Sequence, residues 1–259
     1  MGPLNDNGSL EPWVKALSRA HVGILIERVS PGKSVLLARA LSDMLTCLCI
    51  SGILNMTSII LAGGKSSRLG HSKALQLMGG KILIQWVIDR LTAISTEIII
   101  ATAHGEEIPY SSTVTVKMVS DIHHGKGPLA GIYSGLIASS NSSAIVVSCD
   151  TPFLSVSLLE YMTRICSKFD VVVPRIELKT EPLCAVYSKT CLAPIEELLK
   201  RNELKIIKLF PMVRVRYVEE HEIDRFDPDH LSFFNINSQD DLDRARTLAT
   251  AKGWLLRSS

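Results

Sequence analysis

At 259 residues with 46% hydrophobic side chains, the chain can bury a sizeable core, and at about 100–200 residues per domain it reads as one main domain plus an appendage. A formal charge of +2 is too balanced to make nucleic acid or a membrane surface the principal partner, so any basic site is local. The cysteines at 47, 49, 149, 166, 184 and 191 form no CxxC pair and no zinc-type Cys/His spacing, which reads as free thiols in a reducing cytoplasm.

The first 55 residues differ from the rest. Residues 1–10 are polar, and the apolar stretch "SVLLARALSDMLTCLCISGILN" that follows later is interrupted by Arg39 and Asp43. A spanning helix needs about 20 predominantly apolar residues, and a charge near its centre costs a few kcal/mol, so no transmembrane segment is expected. Asp6 and Glu11 precede the apolar part and no small-residue cleavage pattern follows it, which argues against a signal peptide. Residues 1–55 therefore read as a partly helical N-terminal extension, with the functional domain spanning 56–259 from Met56.

From Ser58 onward, short apolar strands alternate with amphipathic helices, the pattern of a parallel sheet covered on both faces. The predicted strands are 58–62, 97–102, 114–120, 144–149, 170–174, 183–187 and 213–218; the predicted helices are 81–94, 128–140, 155–167 and 191–202. Several strands are continuous β-branched runs, as burial on both faces requires. Ser155 is placed to cap the third of those helices. A last helix begins at Ser238 with Asp241 three residues on, a capping box in which aspartate replaces Glu or Gln.

Chemistry concentrates behind the first strand, in "SIILAGGKSSRLGHSKAL". In an open α/β sheet ligands bind beyond the carboxyl ends of the strands. Gly63 and Gly64 let backbone N–H groups approach an anion, and Lys65, Arg68 and Lys73 would neutralise phosphate oxygens. A P-loop is excluded, because the glycine required five residues before "GKS" is Ile59 here and Glu27 at the second occurrence. The same glycines would also serve a tight turn with merely exposed basic residues, but later landmarks favour a triphosphate. Asp150, in "SCDTPF", follows an apolar strand and is a hard-oxygen ligand suited to Mg²⁺ bridged to phosphates. Asp121 also follows a strand, and the glycine-bearing loop of Lys126 enters a helix whose N-terminus favours anions. His123 and His124 read as solvated loop residues.

These motifs together resemble the molybdenum cofactor guanylyltransferases, within the α/β nucleotidyltransferases. The resemblance runs from about Met56 to about Arg246 and rests on "LAGGKSSRLG", "SKAL", "SDIHHGKGPLAG", "SCDTPF", "EPLCAVY" and "FNINSQDDL", in the family's order. It implies a three-layer αβα sandwich around a mostly parallel, Rossmann-like sheet. Leu61, Ala62, Gly63 and Gly64 would line the nucleotide site, Lys73 would contact the phosphates, and Arg68 would fill the family's basic position. Asp121 would contact the nucleotide, Asp150 would bind Mg²⁺, and Asn235 and Asn237 would lie near the pterin. The implied reaction moves GMP from GTP to the terminal phosphate of molybdopterin and releases pyrophosphate, in the cytoplasm, with molybdoenzyme apoproteins or their chaperones as further partners. Three positions depart from the family: Ser72 stands where aspartate is usual, Ala101 replaces a nucleotide-contacting asparagine, and Glu181 replaces a common histidine. A related enzyme using CTP or another phosphate acceptor, and a non-catalytic nucleotide-binding protein, are the competing readings.

Overall fold

The computed structural model describes residues 56–63, 73–103 and 107–254. The N-terminal extension 1–55, including its expected helical character, lies outside these residues. In chain order the strands are β1 (Thr57–Leu61), β2 (Leu77–Met78), β3 (Lys81–Ile82), β4 (Glu97–Thr102), β5 (Thr115–Ser120), β6 (Ser143–Ser148), β7 (Val171–Ile176), β8 (Lys179–Thr180), β9 (Cys184–Ser188) and β10 (Val215–Glu219). The helices are α1 (Leu83–Thr92), α2 (Pro128–Ala138), α3 (Val156–Ile165), α4 (Leu192–Lys200), α5 (Glu220–Ile223) and α6 (Gln239–Ala251).

Every residue of β1 and β4 is buried, which a strand achieves only with cover on both faces. Successive side chains of a strand point to opposite faces, and the β-branched runs use both. Ile60, Ile98, Ile100 and Val147 pack towards α1 and α3, whereas Ile59, Ile99 and Val146 pack towards α2 and α4. The result is three layers, as the alternation of elements predicts. Truncating a fully buried isoleucine such as Ile99 to alanine would remove about 2–5 kcal/mol of stability.

The main sheet runs β10-β7-β9-β6-β1-β4-β5. β1 lies between parallel neighbours, with Ile59 opposite Ile99 of β4 and Val146 of β6. β9 runs antiparallel to both β6 and β7. The reversal comes from a tight hairpin: Glu177 and Leu178 both take positive φ, the geometry that suits a two-residue turn, and β8 pairs back on β7 before the chain enters β9. α2 sits unusually close to the sheet. A Cβ on Gly135 would fall 2.5 Å from Ile59 Cγ2, and one on Gly131 2.9 Å from Leu61 Cδ2.

α6 buries Leu242, Ala245 and Ala249 against Met78, Trp86, Phe153 and Ile236. It starts with the expected capping box: Ser238 Oγ accepts from the Asp241 N–H at 3.1 Å, and Asp241 Oδ2 accepts from the Ser238 N–H at 3.0 Å. Ser155 caps α3 by accepting from Leu158 N–H. Cys149, Cys166, Cys184 and Cys191 are free thiols, and burial pushes the Cys191 thiol up to about 12, far from the reactive thiolate range. Among the described residues no helix is long and apolar enough to cross a membrane.

At the amino ends of the strands, charged groups are closed on one another. Glu97 accepts from Thr57 Oγ1 at 2.7 Å, Lys117 Nζ at 2.5 Å, and both the N–H and hydroxyl of Ser140 at 2.9 Å. Burial pushes its carboxyl up, but these hydrogen bonds outweigh burial and hold it at about 2. Asp170 receives Nε and Nη2 of Arg214, both at 3.0 Å, and Thr190 Oγ1 at 2.7 Å. The paired guanidinium holds Asp170 well below the usual carboxylate range, against the effect of burial.

Candidate active site

The carboxyl ends of β1, β4, β5 and β6 lie side by side, because these four strands are parallel neighbours. Ala62 N–H continues the ladder one residue beyond β1, donating to Ala101 O at 2.9 Å. Gly63 then passes directly over the end of β4: a Cβ there would lie 2.9 Å from Ala103 N, so a larger residue would force the two chains apart. Leu61 and Ala62 are buried, and Gly63 is half-buried. Gly64, Lys65 and Arg68 lie outside the described residues. Lys73 opens a 3₁₀ turn, Lys73–Leu75, that leads the chain back towards the β2–β3 hairpin.

Asp121 is the first residue after β5. Its N–H donates to Thr102 O at 2.9 Å, and its side chain is buried at 7% exposure. α2 shields it closely, since a Cβ on Gly131 would lie 3.5 Å from Asp121 Oδ1. Ile122 N–H donates to Ser134 Oγ at 2.9 Å, and His124 Nδ1 donates to Ala103 O at 3.1 Å, so the loop is tied both to α2 and to the end of β4. His124 is exposed in its loop, as expected, and is anchored there by this bond, and His123 packs its ring 5.3 Å from that of Tyr133. The first turn of α2 begins at Gly127–Pro128 with no side-chain cap, leaving helix-terminal N–H groups at this edge. Thr102 adds a fully buried hydroxyl that has no hydrogen-bond partner among the described residues.

Asp150 lies two residues past β6 and is half-buried. Ser148 Oγ donates to its Oδ1 at 2.5 Å and sets the carboxylate's orientation. Asp150 O accepts from Ile236 N–H at 3.0 Å. Ile236 is fully buried, so it pins the exposed Asn235 and Asn237, one on each side, to the same end of the sheet. Asn235 Nδ2 donates to Phe233 O at 3.2 Å, and Asn237 N–H to Asp241 Oδ2 at 3.1 Å. Gly63, Asp121, Asp150, Asn235 and Asn237, far apart in sequence, are thus gathered at one edge. Ser148 and Ile236 lie within the quoted motifs "SCDTPF" and "FNINSQDDL" but drew no role of their own there, and Thr102 carried no motif.

The MobA-like NTP transferase domain family matches residues 58–215, from β1 to the start of β10. The chain belongs to this family. It is 37% identical over 208 residues to a probable molybdenum cofactor guanylyltransferase of Pelotomaculum thermopropionicum, covering 79% of this chain and all of that protein. It is 34% identical over 198 residues to a molybdenum cofactor guanylyltransferase of Desulfosudis oleivorans, covering 76% and 96%. Among solved structures, the molybdopterin-guanine dinucleotide biosynthesis protein A of Archaeoglobus fulgidus superposes with a TM-score of 0.65 at 26% identity, over 76% of this chain and all of that one. A 2-C-methyl-D-erythritol 4-phosphate cytidylyltransferase of Thermus thermophilus shares the fold, with a TM-score of 0.57 at 18% identity. The chain is a nucleotidyltransferase by family, and its mixed sheet flanked by helices is the family's architecture.

Proposed function

We propose that this MobA-like nucleotidyltransferase moves GMP from GTP to the terminal phosphate of molybdopterin, releasing pyrophosphate and forming the guanine dinucleotide cofactor. The names of its relatives support the substrate pair. The observation that carries the reading is the convergence at one sheet edge of the glycine turn after β1, Asp121 after β5, and Asp150 with the Asn235–Asn237 segment after β6.

The donor set at Asp150 is made of hard oxygens, with Ser148 as its hydroxyl neighbour. Among the described residues no group of three or more His, Cys, Asp or Glu could cage a metal. That chemistry fits Mg²⁺, which is held by one or two carboxylates together with substrate phosphates and water. Asp150 would hold the ion, which when bound supplies positive charge to the reacting phosphates.

The chain's own residues then align and neutralise. In the transfer an oxygen of the acceptor phosphate bonds to the α-phosphorus of GTP, and the bond from that phosphorus to the pyrophosphate oxygen breaks. A phosphate monoester is already anionic near neutral pH, so no strong general base is required, and the rate comes from positioning and charge neutralisation. Leu61, Ala62 and Gly63 would line the nucleotide site through their backbone, the N–H groups of Gly63 and Gly64 would approach the phosphates, Lys73 and Arg68 would neutralise them, and Asp121 would contact the nucleoside. Incubation with each of the four nucleoside triphosphates, Mg²⁺ and molybdopterin tests the reading by pyrophosphate release. GTP is expected to exceed CTP and ATP by at least about tenfold, the discrimination of one well-placed buried hydrogen bond. Equal or better use of CTP would replace the guanylyl assignment by a cytidylyl one.

A further inference from the structure

We infer that Glu181 reads the acceptor: its carboxylate accepts from the ring N–H and the adjacent amino group on the pyrimidine edge of the pterin. The inference rests on the acceptor assignment above and names the residue that would give it specificity.

Glu181 stands between β8 and β9 at the same carboxyl edge as Asp150. The ladder between β6 and β9 extends at this edge to Ser148 N–H, which donates to Leu183 O at 3.2 Å. Asp150 lies two residues beyond this rung on one limb, and Glu181 two residues beyond it on the other. The Glu181 backbone is held from both sides. Its N–H donates to Pro174 O at 3.0 Å, and its C=O accepts from Cys184 N–H at 3.0 Å. The side chain is half-buried, yet among the described residues its carboxylate has no hydrogen-bond donor and no ion-pair partner. Burial pushes its pKa up, and among the described residues no cation offsets it.

A partly desolvated acceptor on a held backbone is unfavourable until a ligand supplies donors. Phosphate and sulfur groups of the acceptor would be repelled by a carboxylate. Its 2-amino-4-oxopyrimidine edge instead offers two parallel N–H donors, the pattern that a carboxylate accepts with both oxygens. Guanine carries the same edge, so position decides between the two. Glu181 bonds to β7, on the far side of β6 from β4, β5 and Asp121, where the nucleoside is proposed to sit. The pterin is therefore its ligand.

The test uses Glu181→Gln and Glu181→Ala in the full chain. Because no partner among the described residues is orphaned, both are expected to keep the wild-type thermal midpoint. In each variant the KM for molybdopterin should rise at least about tenfold, by more than any fall in kcat, while the Kd for GTP measured without acceptor stays within about twofold. A Kd for GTP that rises in step with KM would assign Glu181 to the guanine instead and overturn the inference. Unchanged KM in both variants would also overturn it. A second arm needs no turnover: fluorescence titration should find that wild type binds pterin at least about tenfold more tightly than lumazine, which lacks the amino group, and that Glu181→Gln loses the preference. Equal binding of the two by wild type removes Glu181 from recognition. Wild type that binds pterin selectively but releases no pyrophosphate with any triphosphate would instead sink the transferase reading and leave this one standing.

Discussion

The two edges of the central sheet use polar residues in opposite ways. At the amino edge, Glu97 takes donors from β1, from β5 and from the turn after α2, and Asp170 is clasped by Arg214 and Thr190. At the carboxyl edge, the Glu181 carboxylate and the Thr102 hydroxyl have no partner among the described residues, and α2 starts without a side-chain cap. A buried polar group satisfied by the chain contributes to folding; one held in place with capacity left over is suited to a ligand. The carboxyl edge also has closed pairs, Ser148 with Asp150 and Arg175 with Glu219, so the contrast rests on the groups there that keep spare capacity.

Of changes at the carboxyl edge, the largest effect is expected at Asp150. Asp150→Asn keeps the shape and removes the charge proposed to hold the metal, so Mg²⁺-dependent pyrophosphate release should fall by about two orders of magnitude or more, with the thermal midpoint of the ligand-free protein little changed. Full activity in the variant would remove Asp150 from the mechanism.

The mirror experiment is Glu97→Gln. It should leave the kinetic constants near wild type and lower stability by on the order of 3 kcal/mol at neutral pH, measured by urea unfolding. The folded-state pKa of Glu97, about 2, lies below its ordinary value near 4.5. Its contribution is therefore complete above about pH 4.5 and is lost as pH falls towards 2. Wild type should lose stability steeply through that window, and the variant less so. An identical acid slope in both proteins would show that Glu97 is not the group responsible.

The smallest effect is expected from shortening the chain to begin at Met56. Every residue proposed to contact nucleotide, metal or pterin lies downstream, so nucleotidyl transfer should be retained within about twofold. Soluble but inactive protein would give residues 1–55 a part in the site, and insoluble protein would give them an apolar face to cover.

Much of this architecture was readable in the residue pattern. The seven long strands were each anticipated to within two residues at either end, because β-branched runs such as Glu97–Thr102 and Ser143–Ser148 have few alternatives once both faces must be buried. Asp121 and Asp150 stood out because a polar residue that ends such a run falls at a sheet edge. The β7–β8 hairpin did not stand out, since its turn is Glu177–Leu178 and lacks the Asn-Gly or Asp-Gly signature of two-residue loops. Of the β2–β3 hairpin, β3 falls in the start of the predicted helix 81–94 and β2 was not anticipated, each strand being only two residues long.

Local chemistry located the long elements to within about two residues: β-branched runs, the Ser155 and Ser238 caps, and the glycines after β1. It also placed the oxygen-bearing residues at strand ends, because both features depend on neighbours a few positions away. Strand order, the reversal of β9, the tie from Ile236 to Asp150 and the sealing of Glu97 by Lys117 were decided only by tertiary structure. Those contacts join residues tens of positions apart, and their stability comes from burying the whole sheet at once, so no short stretch of the chain encodes them.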